Sequence, residues 1–129
     1  MGRLIIKIKL IGGETLRDPL SLLLPEIGAE ICDASPDLTV TVKETCDDVL
    51  LVEKSGSAAT LAYGGGKARA FRGFAKLVSA VKDGTDISCE EHPSFSVNGA
   101  MIDVSRGNVL TVEGVKFMLR KMALMGQNM

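Results

Sequence analysis

Three short segments of strand character follow one another between residues 38 and 63, and they constrain the fold more than any other feature. Leu38–Lys43 alternates Leu or Val with Thr or Lys, Val49–Lys54 is an apolar run, and Ala58–Tyr63 continues the pattern. Polar turns at residues 47–48 and 55–57 separate them. Since such short turns usually join neighbouring strands, the pattern predicts a small antiparallel sheet with helices on one face.

Helical spacing appears on either side of these strands. Residues 4–11 are predicted to form a further strand, which two glycines end. Residues 15–30 then place leucines at helical intervals, and Pro25 and Gly28 are expected to end this helix. After a glycine turn at residues 64–66, an apolar stripe predicts a second helix that ends at Asp83-Gly84. The expected fold class is therefore α+β, a small antiparallel sheet packed by two helices. A short strand at residues 86–91 completes it.

The last part of the chain has a different character. Phe95–Val104 has strand character, and Thr111 begins a helical run that Gly126 is expected to end. The helix is predicted to place one apolar stripe on a single side, formed by Val112, Val115, Leu119, Met122 and Met125. Strand, loop and helix in this order form a β-α unit, whose helix normally leads to a parallel neighbouring strand. Because no strand follows before Met129, we expect this unit either to dock on the preceding domain or to belong to a longer protein.

The charge balance excludes several classes of partner. Fifteen basic residues against sixteen acidic ones leave no net field that would attract nucleic acid or an anionic membrane. Lys7 and Lys9 interrupt the only apolar start that could resemble a signal core, so the chain as given is expected to be cytoplasmic. A signal peptide removed ahead of Met1 would also fit the sequence.

Residues that could bind metal or catalyse a reaction are sparse. Cys32, Cys46 and Cys89 are odd in number and far apart, and His92 stands at no metal-ligand spacing from them, so neither a disulfide framework nor a metal site is predicted. The adjacent acids at residues 47–48 and 90–91 are interpreted as solvated charges, because neighbours on a strand point to opposite faces. The glycines at 64–66 lack the spacing of a P-loop and are interpreted as a plain turn.

Two stretches carry a family resemblance. Residues 98–110, Asn-Gly-Ala-Met-Ile-Asp-Val-Ser-Arg-Gly-Asn-Val-Leu, together with residues 112–116 and 122–129, are similar to the opening of the catalytic barrel in family 20 glycoside hydrolases. Residues 60–65 and 70–77 resemble the end of the small α/β domain that precedes this barrel. The resemblance implies an accessory domain at residues 1–93, followed at 94–129 by the first strand and helix of a truncated (β/α)8 barrel.

The resemblance also implies an activity that this chain would not possess by itself. Family 20 β-N-acetylhexosaminidases remove terminal N-acetylhexosamine with retention, the substrate's acetamido group acting as the nucleophile, and they require no cofactor. Their catalytic Asp-Glu pair lies on a later barrel strand, so the fragment is expected to be inactive. Asn98 stands where most members have a sugar-binding Arg, and Asp103 and Arg106 match the end of the same motif. Asp103 and Arg106 would either border the sugar site or form an ion pair with each other, and the ion pair is the favoured interpretation.

One alternative remains at this point. The chain could be a stand-alone α/β interaction module that associates with itself through its last strand and helix. In either case the apolar surface of residues 94–129 is expected to be covered, by a second copy or by the preceding domain.

Overall fold

The computed structural model describes residues 5–92 and 111–127, and within them it confirms the α+β class. A six-stranded sheet carries helices on one side. The strands are β1 (Ile6–Ile11), β2 (Ala29–Ile31), β3 (Leu38–Glu44), β4 (Leu50–Ser55), β5 (Ala58–Tyr63) and β6 (Ile87–Glu91). The helices are α1 (Arg17–Leu23), α2 (Lys67–Asp83) and α3 (Val112–Leu124), and short 3-10 turns at Glu14–Leu16 and Leu24–Ile27 flank α1.

The predicted antiparallel sheet is wrong in its pairing. The strand order is β2-β1-β3-β5-β4-β6, in which β1 pairs with β2 and β3 in parallel and β3 pairs with β5 in parallel. Only β4 is antiparallel to its two neighbours, β5 and β6. The sheet is therefore mixed rather than antiparallel.

The loop between β3 and β4 explains this difference. It passes across the end of β5 instead of turning back beside β3: the Thr45 N–H donates to the Tyr63 carbonyl at 2.8 Å, and the Gly64 N–H donates to the Val49 carbonyl at 3.0 Å. A side chain at residue 64 would collide with the carbonyl oxygens of Thr45 and Asp47. Glycine at this position therefore allows the short loop to cross one strand, so β5 is inserted between β3 and β4.

The region predicted as one helix over residues 15–30 is divided. Its central part forms α1 and a 3-10 turn, and Gly28, with φ of 78°, ends the helical segment as predicted. The chain then forms β2, whose Ala29–Ile31 pair with Ile6–Ile8 of β1 in parallel. Three residues are too few to show a period-two pattern, so sequence periodicity could not reveal this edge strand.

The core lies between the sheet and the helices α1 and α2. Strand residues alternate between this buried side and an open side, as in β4, where Leu50, Val52 and Lys54 are buried and the residues between them are exposed. Gly73 of α2 lies directly over Leu61 and Leu50, which allows the helix to approach the sheet closely. The open side of the sheet is mostly polar and includes Lys9, Thr39, Thr41, Glu53, Thr60, Ser88 and Glu90.

Helix α3 packs on α1 and α2 rather than on the sheet. Its first turn is capped by Thr111, whose hydroxyl accepts a hydrogen bond from the Gly114 N–H at 3.0 Å. Of the residues predicted to lie on one side of this helix, Met122 is buried, whereas Val112, Leu119 and Met125 are exposed; Leu124, which is not among them, is buried as well. The helix is thus attached through its last two turns, and much of its apolar surface faces outward.

Candidate functional site

The residues predicted to bind sugar, Asn98, Asp103 and Arg106, lie outside the described residues. Within the described part of the chain, polar side chains converge in several places. Among them are the carboxyl end of the parallel strands β1, β3 and β5, and the region where the last turns of α3 meet α2 and the end of β6.

The carboxyl ends of β1, β3 and β5 form a small groove. Parallel strands bring these ends to one edge of the sheet, where ligands bind in many α/β proteins. The groove has a volume of about 240 Å³ and is lined by Gly13, Glu14, Thr15, Val42, Glu44 and Tyr63. This is smaller than the roughly 300–1,000 Å³ typical of small-molecule pockets, so the groove by itself does not define an active site.

Tyr63 is the titratable group held most firmly in this groove. Its side chain is buried and contacts Thr15 and Glu44. Burial raises the pKa of the Tyr63 phenol, and the negative charge of Glu44 raises it further. The phenol therefore remains protonated at neutral pH, where it can donate a hydrogen bond but cannot act as a base.

The space beside the glycine turn before α2 is occupied by the side chain of Asp48. Asp48 accepts a hydrogen bond from the buried Arg69 at 2.9 Å, and its carboxylate lies where a side chain at Gly65 would collide with it. A carboxylate of the same chain, bound to Arg69 in the first turn of α2, thus already lies beside this turn. This arrangement agrees with the interpretation of residues 64–66 as a structural turn.

The adjacent acids of β6 point to opposite sides of the sheet, as predicted. Glu90 lies on the open side, 2.8 Å from His92. Glu91 lies on the helix side, where Arg72 donates to both of its carboxylate oxygens, at 2.7 and 3.0 Å. These hydrogen bonds lower the pKa of Glu91, so it is a poor candidate for a general acid at neutral pH. The two carboxylates do not share a pocket.

Arg72 also contacts the end of α3. Its Nη1 donates to the Met125 carbonyl at 3.2 Å, while Nε and Nη2 bind Glu91. We call Arg72, Glu91 and Met125 the Arg72 joint. A second attachment, the Glu26 cluster, joins Glu26 to Arg120 at 3.0 Å and to Lys121 at 3.9 Å.

Thiols and metal ligands do not form a site within residues 5–92 and 111–127. Cys32 and Cys89 are half-buried and Cys46 is exposed, each as a free thiol. Across these ranges, no group of three or more His, Cys, Asp or Glu side chains could hold a metal ion. Among the helices described, none is both long and apolar enough to cross a membrane.

Sequence reasoning did not identify the Arg72 joint or the Glu26 cluster. Glu26 and Arg120 are 94 residues apart, and Arg72 and Met125 are 53 apart. No short motif links positions so distant, and an arginine within an amphipathic helix ordinarily indicates a solvated face. Only the packing of α3 on α1 and α2 brings them together.

Comparison with known proteins gives little further information. No family model and no curated protein matches this sequence. Among solved structures, the chain is similar to the β-N-acetylhexosaminidase from Bacteroides fragilis NCTC 9343, with a TM-score of 0.38 and 12% sequence identity. The match covers 69% of this chain and 20% of the other, so the chain spans about a fifth of that protein's length. A similarity this weak assigns neither a family nor an activity.

Proposed function

We propose that this chain is the beginning of a β-N-acetylhexosaminidase of glycoside hydrolase family 20. It would comprise the accessory domain and the first β-α unit of the catalytic barrel. The observation that carries the proposal is the sequence of residues 98–129, which is similar to the first strand and helix of that barrel over most of its length. The longer enzyme would remove terminal N-acetylhexosamine residues from carbohydrates.

The described part of that stretch supports the proposal. The motif predicts a helix that begins near Thr111 and ends at Gly126, and α3 has an N-cap at Thr111 and a left-handed Gly126 just after its end. A helix of this kind is what a β-α barrel repeats after each strand. Its exposed apolar residues, which include Val112 and Leu119, would suit contact with further barrel helices.

The chemistry of this family requires two groups that the described residues lack. A Glu must protonate the leaving oxygen while a neighbouring Asp orients the acetamido group that attacks the anomeric carbon. Among the described residues, Asp48 is bound by Arg69 and Glu91 by Arg72, and Glu90 lies on the opposite side of the sheet from Glu91. We therefore expect no glycosidase activity from these 129 residues alone.

Asn98, Asp103 and Arg106 belong to the same proposal. Residues at the carboxyl end of the first barrel strand face the site in which barrel enzymes hold their substrate. Asn98 could donate and accept hydrogen bonds with sugar hydroxyls in place of the usual Arg, whereas Asp103 and Arg106 would either border the sugar or pair with each other. In the longer enzyme, Arg106→Ala would separate these roles, because a sugar contact affects KM and an ion pair affects stability.

The proposal is tested first by the genetic sequence beyond codon 129. We expect the reading frame to continue through the remainder of a barrel of about 250 residues, and to encode an adjacent Asp-Glu pair on a later strand. A stop codon directly after Met129 would contradict the proposal. A continuing frame without an Asp-Glu pair would contradict the proposed reaction.

A stand-alone module that self-associates is the second candidate, and the exposed apolar residues of the helices are compatible with it as well. Leu22 on α1 is 70% exposed, and on α3 Val112 is 71% and Leu119 is 55% exposed. Apolar groups exposed in this way can form the contact between two copies. Analytical ultracentrifugation tests self-association itself: a dimer that Leu119→Asp converts to a monomer supports it, whereas a monomer at all concentrations opposes it. A stop codon directly after Met129 would favour the stand-alone module over the hydrolase fragment.

A further inference from the structure

An arginine of α2 holds the last residue of β6 and the end of α3 at the same time. Arg72 uses Nε and Nη2 for the two carboxylate oxygens of Glu91 and Nη1 for the Met125 carbonyl. A guanidinium can serve both acceptors because its five donors are fixed in one planar fork. The Arg72 joint therefore connects three elements through one side chain.

The side chain of Arg72 also packs closely against the end of α3. Gly126 is buried with φ of 86°, and a Cβ there would lie 3.0 Å from Cδ of Arg72. The last carbonyls of a helix carry the negative end of its dipole, so a cation at this position is favourable. The stem of Arg72 thus packs against the chain that leaves α3, while its charged end binds the final carbonyl.

The Glu26 cluster fixes α3 on its other side. Arg120 donates to the Glu26 carboxylate at 3.0 Å, and Lys121 donates to the Glu26 carbonyl at 3.3 Å. The 3-10 turn that contains Glu26 is itself tied to α2, because Lys82 donates to the Ile27 carbonyl at 2.6 Å. Helix α3 is consequently attached by polar contacts to both sides of the helical layer.

Apolar burial attaches α3 but does not by itself select its orientation. Met122 and Leu124 are buried, whereas Val112, Phe117 and Leu119 are each about half exposed or more, at 71%, 48% and 55%. The hydrophobic effect is not directional, and two buried side chains would permit several placements of a helix on a helical layer. Directional hydrogen bonds from an arginine select one of them.

We propose that Arg72 is a positioning residue that fixes the end of α3 relative to the end of β6. The consequence for an enzyme rests on the proposed function: Arg72 would then hold the accessory domain and the first β-α unit of the barrel in one orientation. The joint itself consists of contacts within the described residues and is tested separately from any hydrolase activity.

Hydrogen exchange measured by mass spectrometry on the 129-residue chain tests the proposal. Arg72→Ala should accelerate exchange of the amides in residues 120–127 about tenfold, as expected for the loss of hydrogen bonds to a charged group. Exchange in β3 and β5 should remain unchanged. Arg72→Lys should give a smaller acceleration, because a single ammonium group cannot bind Glu91 in bidentate fashion and reach Met125 together.

Arg17 provides the matched control. It is also an arginine paired with a carboxylate, at 3.1 Å from Asp33, but among the described residues none of its hydrogen bonds or ion pairs reaches α3. Arg17→Ala should leave exchange in residues 120–127 unchanged. If Arg72→Ala does not fold, Glu91→Gln takes its place, since it removes the charge that orients the guanidinium and should accelerate the same amides severalfold.

Three results would overturn the proposal. Exchange of residues 120–127 could be unchanged in Arg72→Ala, or in Glu91→Gln where that variant replaces it. In a second result, the acceleration would spread equally to β3 and β5. In a third, Arg72→Lys would behave as the wild type, which would mean that a positive charge alone is enough to hold α3. A longer gene product without hexosaminidase activity would instead remove the proposed function and leave the Arg72 joint as it is.

Discussion

At the scale of single residues, Gly64 shows how one position decides the path of the chain. Its backbone N–H binds the Val49 carbonyl, and a side chain there would collide with the carbonyl oxygens of Asp47 and Thr45. The obstacle is backbone, which cannot rotate away as a side chain can. The crossing of the 45–49 loop over β5 therefore depends on the absence of a Cβ.

The substitution Gly64→Ala should lower the free energy of unfolding by about 3 kcal/mol, as severe overpacking does. Urea denaturation followed by circular dichroism measures the change. Gly56→Ala is the matched control: Gly56 has a positive φ, but a Cβ added there would meet no atom within 4 Å, so only the left-handed backbone is penalised, by about 1 to 2 kcal/mol. Equal losses in the two variants would contradict the steric explanation.

A pH dependence follows from Glu91. Its hydrogen bonds with Arg72 lower its pKa below the ordinary value of 4.5. A carboxyl group whose pKa is lower in the folded state contributes stability above the unfolded pKa and loses it as the pH falls through the folded pKa. The contribution of Glu91 is therefore complete at neutral pH and disappears in acid below about pH 4.5.

The variant Glu91→Gln should be less stable than the wild type at pH 7, and the difference should shrink as the pH falls below 4.5. Thermal unfolding at a series of pH values checks this expectation. Glu90→Gln is the control, since Glu90 pairs with the exposed His92 on the open side of the sheet. A difference between Glu91→Gln and the wild type that stays constant down to pH 2 would show that the charge of Glu91 is not responsible.

At the scale of secondary-structure elements, α3 is attached to the rest of the described chain by few buried side chains. It contacts α1 and α2 through its last turns and adds no strand to the sheet. Local unfolding generally begins in elements with few buried apolar contacts. We therefore expect α3 to detach without unfolding of the sheet.

Met122→Ala tests this expectation, because Met122 is 8% exposed whereas Leu119, one turn earlier, is 55% exposed. A buried Met→Ala change costs about 2 to 5 kcal/mol, which is enough to release a helix held by so few side chains. Nuclear magnetic resonance should show loss of helical shifts in residues 112–124 and unchanged signals from β1 to β5. Leu119→Ala should leave both regions intact. Cooperative unfolding of the whole chain by Met122→Ala would show that α3 is part of the main core.

Most elements could be predicted from the sequence, but their arrangement could not. Period-two alternation located β1, β3 and β5, and an apolar run located β4. The glycines at 64–66 and Asp83-Gly84 indicated the ends of α2 to within a few residues. Strand order could not be predicted in this way, because it depends on whether the loop at 45–49 turns back or crosses over, and Gly64 decides this through a contact with a distant part of the chain. The three-residue β2 was too short for any periodicity.

The candidate site was less predictable than the fold. A motif can identify residues such as Asp103 and Arg106 only by their similarity to a family, and these residues lie outside the described ranges. The Arg72 joint had no sequence signal, because its members come from α2, β6 and the end of α3. Distant charged residues pair according to the packing of the elements that carry them, and that packing is a property of the whole fold.

At the scale of the whole molecule, the two sides of the sheet differ in what they could bind. The open side is mostly polar, although Ile11 and Leu51 are exposed on it, whereas the helical side carries more exposed apolar groups, which include Leu22, Val112 and Leu119. A large apolar partner should therefore cover the helical side. In the proposed enzyme that partner would be the rest of the barrel, since α3 would be its first helix.

Hydrolysis of a chromogenic N-acetylglucosaminide tests the central claim most directly. The assay would compare the 129-residue chain with the longer protein that the proposal expects its gene to encode. We expect turnover by the longer protein, its loss when the acidic Glu of the Asp-Glu pair is replaced by Gln, and none by the chain alone. Turnover by the 129-residue chain itself, or an inactive but folded longer protein, would contradict the account.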